Sequence, residues 1–84
     1  MKPSIGRIII VKCAQAASNG VDRAPAIITR VWGDGDTSIG PVMVNATAFP
    51  DLAVPQAVGS INVYDTEADV PEGATYAAFW PERV

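Results

Sequence analysis

Histidine is absent from the chain, and cysteine occurs once, as Cys13. Without an imidazole, neither a Ser-His-Asp nor a Cys-His arrangement can be assembled, and the usual zinc ligand sets are out of reach. A single thiol cannot close an intrachain disulfide, so covalent cross-links do not hold this small fold together, and a reducing compartment fits. Cys13 reads as a small hydrophobe at a strand end, with no group to activate it as a nucleophile. Charged residues are also sparse, at 18%. The carboxylates fall mostly in turn-forming stretches, where they stay ionised and lack the raised pKa that two-carboxylate hydrolysis requires. The composition points away from an enzyme, and no cofactor or metal is expected.

Long apolar segments are missing too. Lys2, the run Ile8-Ile-Ile-Val11 and Ala14-Gln-Ala16 together imitate an export signal with its cleavage site. That run is bounded by Arg7 and Lys12, and it is shorter than the roughly 7–15 residues of a signal core. Nothing approaches the roughly 18 apolar residues of a membrane helix. The expectation is a protein kept in the cytoplasm of the cell that makes it, with no membrane partner.

What the chain does have is apolar residues, 49% of its 84. A chain of this length makes one domain, residues 1–84, and leaves much of its surface wet. So large an apolar share argues against disorder and exceeds what a monomer of this size needs, so a homo-oligomer is expected. Charge is split along the chain. Residues 1–30 hold five basic side chains against one acidic, a net of +4, and residues 31–84 hold one basic against eight acidic, a net of −7. In a folded chain the two halves attract, or they serve head-to-tail self-association, or the acidic half is offered to a basic partner. With a pI near 4.5, DNA or RNA is disfavoured, because neutralising phosphates needs clustered Lys and Arg.

The most legible stretch is Pro25-Ala-Ile-Ile-Thr-Arg-Val-Trp32, the turn Gly33-Asp-Gly-Asp36, and the return Pro41-Val-Met-Val-Asn-Ala-Thr-Ala-Phe49. β-Branched and aromatic residues on both arms, with turn formers between them, predict a hairpin. Before it, Gly6 to Cys13 reads as a strand apolar on both faces, Ile8 and Ile10 against Ile9 and Val11, and so covered twice or lying at an interface. Ser18-Asn-Gly20 supplies positive-φ turn chemistry for a first hairpin. In the second strand Ala26, Ile28, Arg30 and Trp32 are expected on one face, with Arg30 and Trp32 side by side, the guanidinium near the indole or both presented to a ligand. Trp32 could equally cap an open barrel end.

The run Gly33 to Pro41 places Asp34, Asp36 and Ser38 at alternate positions, as a calcium loop does. Glycine falls at Gly40 and the place for the bidentate glutamate is Asn45, so a solvated turn is expected instead. In the third strand Val42, Val44, Ala46 and Ala48 face inward as small residues of a narrow barrel, and Met43, Asn45, Thr47 and Phe49 face outward. Pro50 to Pro55 breaks the strand and exposes Leu52 and Val54. Val58 to Tyr64 alternates cleanly as a fourth strand, Asp65 to Gly73 is an acidic loop, and Ala74 to Trp80 reads as the last strand. No helix is expected, since Ala14 to Ala17 is too short to form one. The fold class is therefore all-β, a small barrel or roll of about five antiparallel strands, SH3-like in size.

For function, aromatics beside arginines form the candidate surface: Arg30, Trp32, Tyr64, Tyr76, Trp80 and Arg83. Such residues dominate protein interfaces, and they also stack on nucleobases and clamp phosphates. In a small barrel they can instead be core.

Five segments, Gly6-Arg-Ile-Ile-Ile-Val11, Ala24-Pro-Ala-Ile-Ile-Thr-Arg-Val-Trp32, Val44-Asn-Ala-Thr-Ala-Phe49, Gly59-Ser-Ile-Asn-Val-Tyr64 and Phe79-Trp-Pro-Glu-Arg83, span nearly the whole chain. Together the chain resembles a group of small bacteriophage proteins with an opening strand, a "PAI-T-VW" segment, an "N-T-F" strand and a terminal "WP" element. Those relatives often carry a histidine near the terminal tryptophan, which this chain lacks. The resemblance implies a phage or prophage product and transfers no catalytic residue. It implies a binding role toward a host protein or a small-molecule or nucleotide signalling ligand, for instance in countering host defence. A virion decoration component and a nucleic-acid-binding barrel are the alternatives.

Overall fold

The computed structural model describes residues 1–82. Five strands, β1 (Ile8–Lys12), β2 (Arg23–Val31), β3 (Val42–Ala48), β4 (Gln56–Tyr64) and β5 (Ala77–Phe79), close into a barrel in the order β1-β2-β3-β4-β5. The all-β barrel is thus the one expected. β1 to β4 form an antiparallel meander, and β5 closes it, antiparallel to β1 and parallel to β4. That one parallel seam departs from the antiparallel expectation. The connection from Asp65 to Tyr76 returns β5 to the start of the barrel, so it runs in the direction of β4.

Alternation with period two fills the interior. Ile9 and Val11 of β1, with Cys13 just beyond it, are buried, and so are Val42, Val44, Ala46 and Ala48 of β3, the set expected inward. Large faces small across the seams, with Ile9 paired to Ala26, Ala46 to Val58, and Ala78 to both Val11 and Val63. Such pairing lets a five-stranded wall close tightly without voids. Burial of each large aliphatic side chain is worth about 1.5–3 kcal/mol. Ser18 and Val21 exchange backbone hydrogen bonds, both 2.9 Å, around Asn19 and Gly20 at φ 52° and 81°. Positive φ at both central residues is the turn whose twist suits a hairpin. Two 3₁₀ turns escaped the sequence reading, Ala14–Ala16 and Glu67–Asp69. The first puts Ala16 against the barrel mouth, fully buried.

Two register slips shape the outer wall. The β2–β3 register shifts between Ile28 and Arg30, and the β3–β4 register between Val44 and Ala46. In β2 the slip leaves Thr29 and Arg30 both exposed and turns Val31 toward the core. The expected face of Ala26, Ile28, Arg30 and Trp32 is therefore divided: Ala26 and Ile28 are inside, Arg30 and Trp32 outside. The slip in β4 leaves Gly59 and Ser60 opposite Asn45, with Ser60 at φ 52°. A left-handed serine is costly unless its surroundings hold it. Asn45 does so, its Oδ1 accepting the Ser60 backbone N–H at 2.8 Å.

Candidate binding surface

On the outer wall the guanidinium of Arg30 lies over the Trp32 ring, 3.7 Å from its centroid. The indole N–H of Trp32 donates to Asn45 Oδ1 at 3.2 Å, the same oxygen that holds Ser60. Asn45 therefore ties the pose of Trp32 to the β4 bulge. Trp32 keeps 42% of its surface exposed, and Arg30 has no carboxylate partner among the described residues. Nearby on β4, the Gly59 carbonyl accepts the hydroxyl proton of Tyr76. Burial is the main cause that pushes the Tyr76 phenol above its ordinary pKa of 10.0. The arrangement offers a flat aromatic face, a cation and a fixed amide, a set that stacks on planar groups and engages carboxylates or phosphates.

The other predicted residues lie elsewhere. Tyr64 is half-buried at the end of β4, beside Phe79. Trp80 is 7% exposed and belongs to the core. Arg83 lies outside the described residues, and Arg7 takes the position over the Trp80 ring, 5.3 Å from its centroid. Trp80, not Trp32, closes the barrel end.

A second polar cluster went unread in the sequence. The Met1 ammonium donates to Asp36 Oδ1 at 2.8 Å, Thr37 Oγ1 at 3.1 Å and Asp65 Oδ1 at 3.3 Å. Trp80 Nε1 also donates to Thr37 Oγ1, at 2.9 Å. The single hydroxyl proton of Thr37 faces the Met1 carbonyl and Asp65 Oδ1, both at 2.8 Å. Thr37 is the buried polar residue of the described chain, and this convergence satisfies it. The Met1 ammonium is raised above its ordinary pKa chiefly by the Asp36 hydrogen bond, and Asp36 is held well below the carboxylate range chiefly by the ammonium. Asp65 is lowered first by the Thr37 hydroxyl and then by the ammonium. Asp36 is thus a fastener rather than the solvated turn residue expected, and the basic and acidic halves of the chain do meet here. They meet again where Arg23 joins Glu67. No sequence pattern signals Thr37, because its partners Met1, Asp65 and Trp80 come from three separate segments.

An open groove of about 930 Å³ runs beside this cluster, between Met1, Glu67, Phe79 and Trp80. Of its carboxylates, Asp65 and Glu67 are engaged by the ammonium and Arg23, and Glu82 also lines it. Among the described residues no three His, Cys, Asp or Glu side chains gather as a metal site, and no helix is long and apolar enough to cross a membrane. Comparison with protein-family models, curated proteins and solved structures yields no match.

Proposed function

We propose that this barrel is a non-enzymatic accessory protein of a phage or prophage, acting in the cytoplasm of the bacterial host. It binds a host protein or a signalling ligand through the surface of Arg30, Trp32 and Asn45, in a manner that serves to blunt host defence. The phage setting rests on the sequence resemblance. The binding site rests on one observation, the exposed Arg30–Trp32 stack whose indole is oriented by Asn45. A side chain held in one pose yet left in water loses little entropy when a partner covers it, which favours binding. Arg30 adds a cation with no carboxylate partner among the described residues, suited to a carboxylate or phosphate on the bound molecule.

The test is retention from host lysate on the immobilised chain, with proteins and nucleotides both identified by mass spectrometry. Wild type should retain a component that W32A and R30A lose while their circular dichroism stays unchanged. Equal retention by wild type and W32A would exclude this surface. Titration with DNA and RNA at low salt examines the nucleic-acid alternative, and flat curves remove it. A decoration role in the virion draws support from the uncovered apolar wall of β1 to β3, and abundant copies in purified virions would favour it.

A further inference from the structure

β1, β2 and β3 present two outer rows without a charge. Ile8, Ile27 and Thr47 are neighbours in one row by strand register, and Ile10, Pro25 and Phe49 in the next. Ile8 is 54% exposed and Phe49 42%. The second row ends differently. Its next member by register, Phe79 of β5 beside Ile10, also points outward, yet Arg23 lies over its ring at 5.8 Å, fixed there by Glu67, and Phe79 is buried. The outer residues of β4 include Ser60 and Asn62, which water can solvate. The described chain thus covers this apolar wall at its β5 end and leaves the part on β1 to β3 open.

We infer that this open wall is the contact between two copies of the chain. Three strands spaced about 4.8 Å apart, two outward rows and the reach of the side chains make a patch of roughly 300–400 Å², in the range of the largest apolar patch on a protein surface, which is often functional. A stable dimer buries about 800 Å² per partner. The wall therefore supplies the apolar centre, and the surrounding polar surface supplies the rim, which is the usual build of an interface. Three features select a second copy as occupant. The barrel is closed, so it has no free edge for another strand to extend, and contact is by side chains. The open part carries no charge and only Thr47 as a hydrogen-bonding side chain, and Arg23 at its β5 border is already paired with Asp22 and Glu67, so little remains to specify an acidic or basic partner. The acidic side chains lie outside these rows, so two copies each of net charge −3 meet here without opposing like charges. In a two-fold contact the patch has only to complement itself. This inference does not depend on the Arg30–Trp32 reading, whose residues lie outside the two rows.

Light scattering and sedimentation across the micromolar range test it. Wild type should be a concentration-dependent dimer, and I27E should raise the dissociation constant at least tenfold with the fold intact by circular dichroism. If I27E does not fold, I8T and F49T keep β-favouring residues and should show the same weakening. I39E, on the exposed β2–β3 loop, should leave the dimer unchanged. A wild type that remains monomeric in the high micromolar range overturns the inference. So does a dimer untouched by the wall substitutions, or one that I39E disrupts equally. Association only after a different protein is added would also overturn it.

Discussion

Trp80 and Trp32 each carry an arginine over the ring and give the indole N–H to a side-chain oxygen, yet Trp80 is 7% exposed and Trp32 42%. The difference lies in what the accepting oxygen is attached to. Trp80 donates to Thr37, which is itself buried and gathers Met1, Asp65 and Trp80 into one network. Trp32 donates to Asn45, whose amide also holds a bulge on the outer wall. The same pair of contacts therefore closes a core in one place and poses a ring for solvent in the other. Aromatic and arginine neighbours alone do not distinguish the two.

The largest test of this contrast is W80A. Removing a buried aromatic costs about 3–5 kcal/mol, a large share of the stability of a small domain, and urea denaturation should show the loss or outright unfolding. Next is T37V, which keeps the shape but leaves the Trp80 N–H without its acceptor. About 1–3 kcal/mol should be lost, read from the same denaturation curves. N45A should cost about 1 kcal/mol through the freed Ser60 amide, and Trp32 fluorescence anisotropy should fall as the ring gains motion. Should N45A leave that anisotropy unchanged, Asn45 does not pose the ring. W32A should change stability by no more than about 0.5 kcal/mol, as expected for an exposed side chain.

The ammonium cluster adds a dependence on pH. The folded-state pKa of the Met1 ammonium is raised above 8.0, so its contribution is complete below that pH and is lost as pH rises through the raised value. Asp36 and Asp65 are lowered from 3.8, so their contribution is present above that pH and is lost as pH falls through the lowered values. Thermal melts should therefore show a plateau between these limits and a decline on either side. Acetylating the Met1 amine should remove the alkaline decline, and a melting point that rises from about pH 8 to 10 would contradict the assignment.

Much of the barrel was legible because alternation is local. The inward set of β3 and the Asn19-Gly20 turn follow from residue types a few positions apart, whereas β1, apolar on both faces, does not say which face turns inward. The register slip after Ile28 was not, since a slip is a relation between strands and leaves no mark in one of them. For the same reason Arg30 and Trp32 could be paired from sequence while their face was misassigned. The parallel β4–β5 seam and the burial of Thr37 depend on contacts between residues far apart in sequence, for which spacing gives no guide. Of the candidate surface, Arg30, Trp32 and Tyr76 stand outside as a binding surface requires, whereas Trp80 joins the core.

The slip in β2 also separates two histories that a regular strand would bind together. Ahead of it, every substitution in Ala24, Ala26 or Ile28 is judged by the volume of the barrel interior. Beyond it, Arg30 and Trp32 stand outside, tied to β3 by the Trp32 N–H bond to the Met43 carbonyl and by Asn45, while Val31 turns to the core. Substitutions at that tip therefore leave the interior volume untouched, and deleting Thr29 would restore strict alternation after Ile28 with Arg30 still outward and Val31 inward, whereas a regular strand that kept Thr29 would turn Arg30 toward the core.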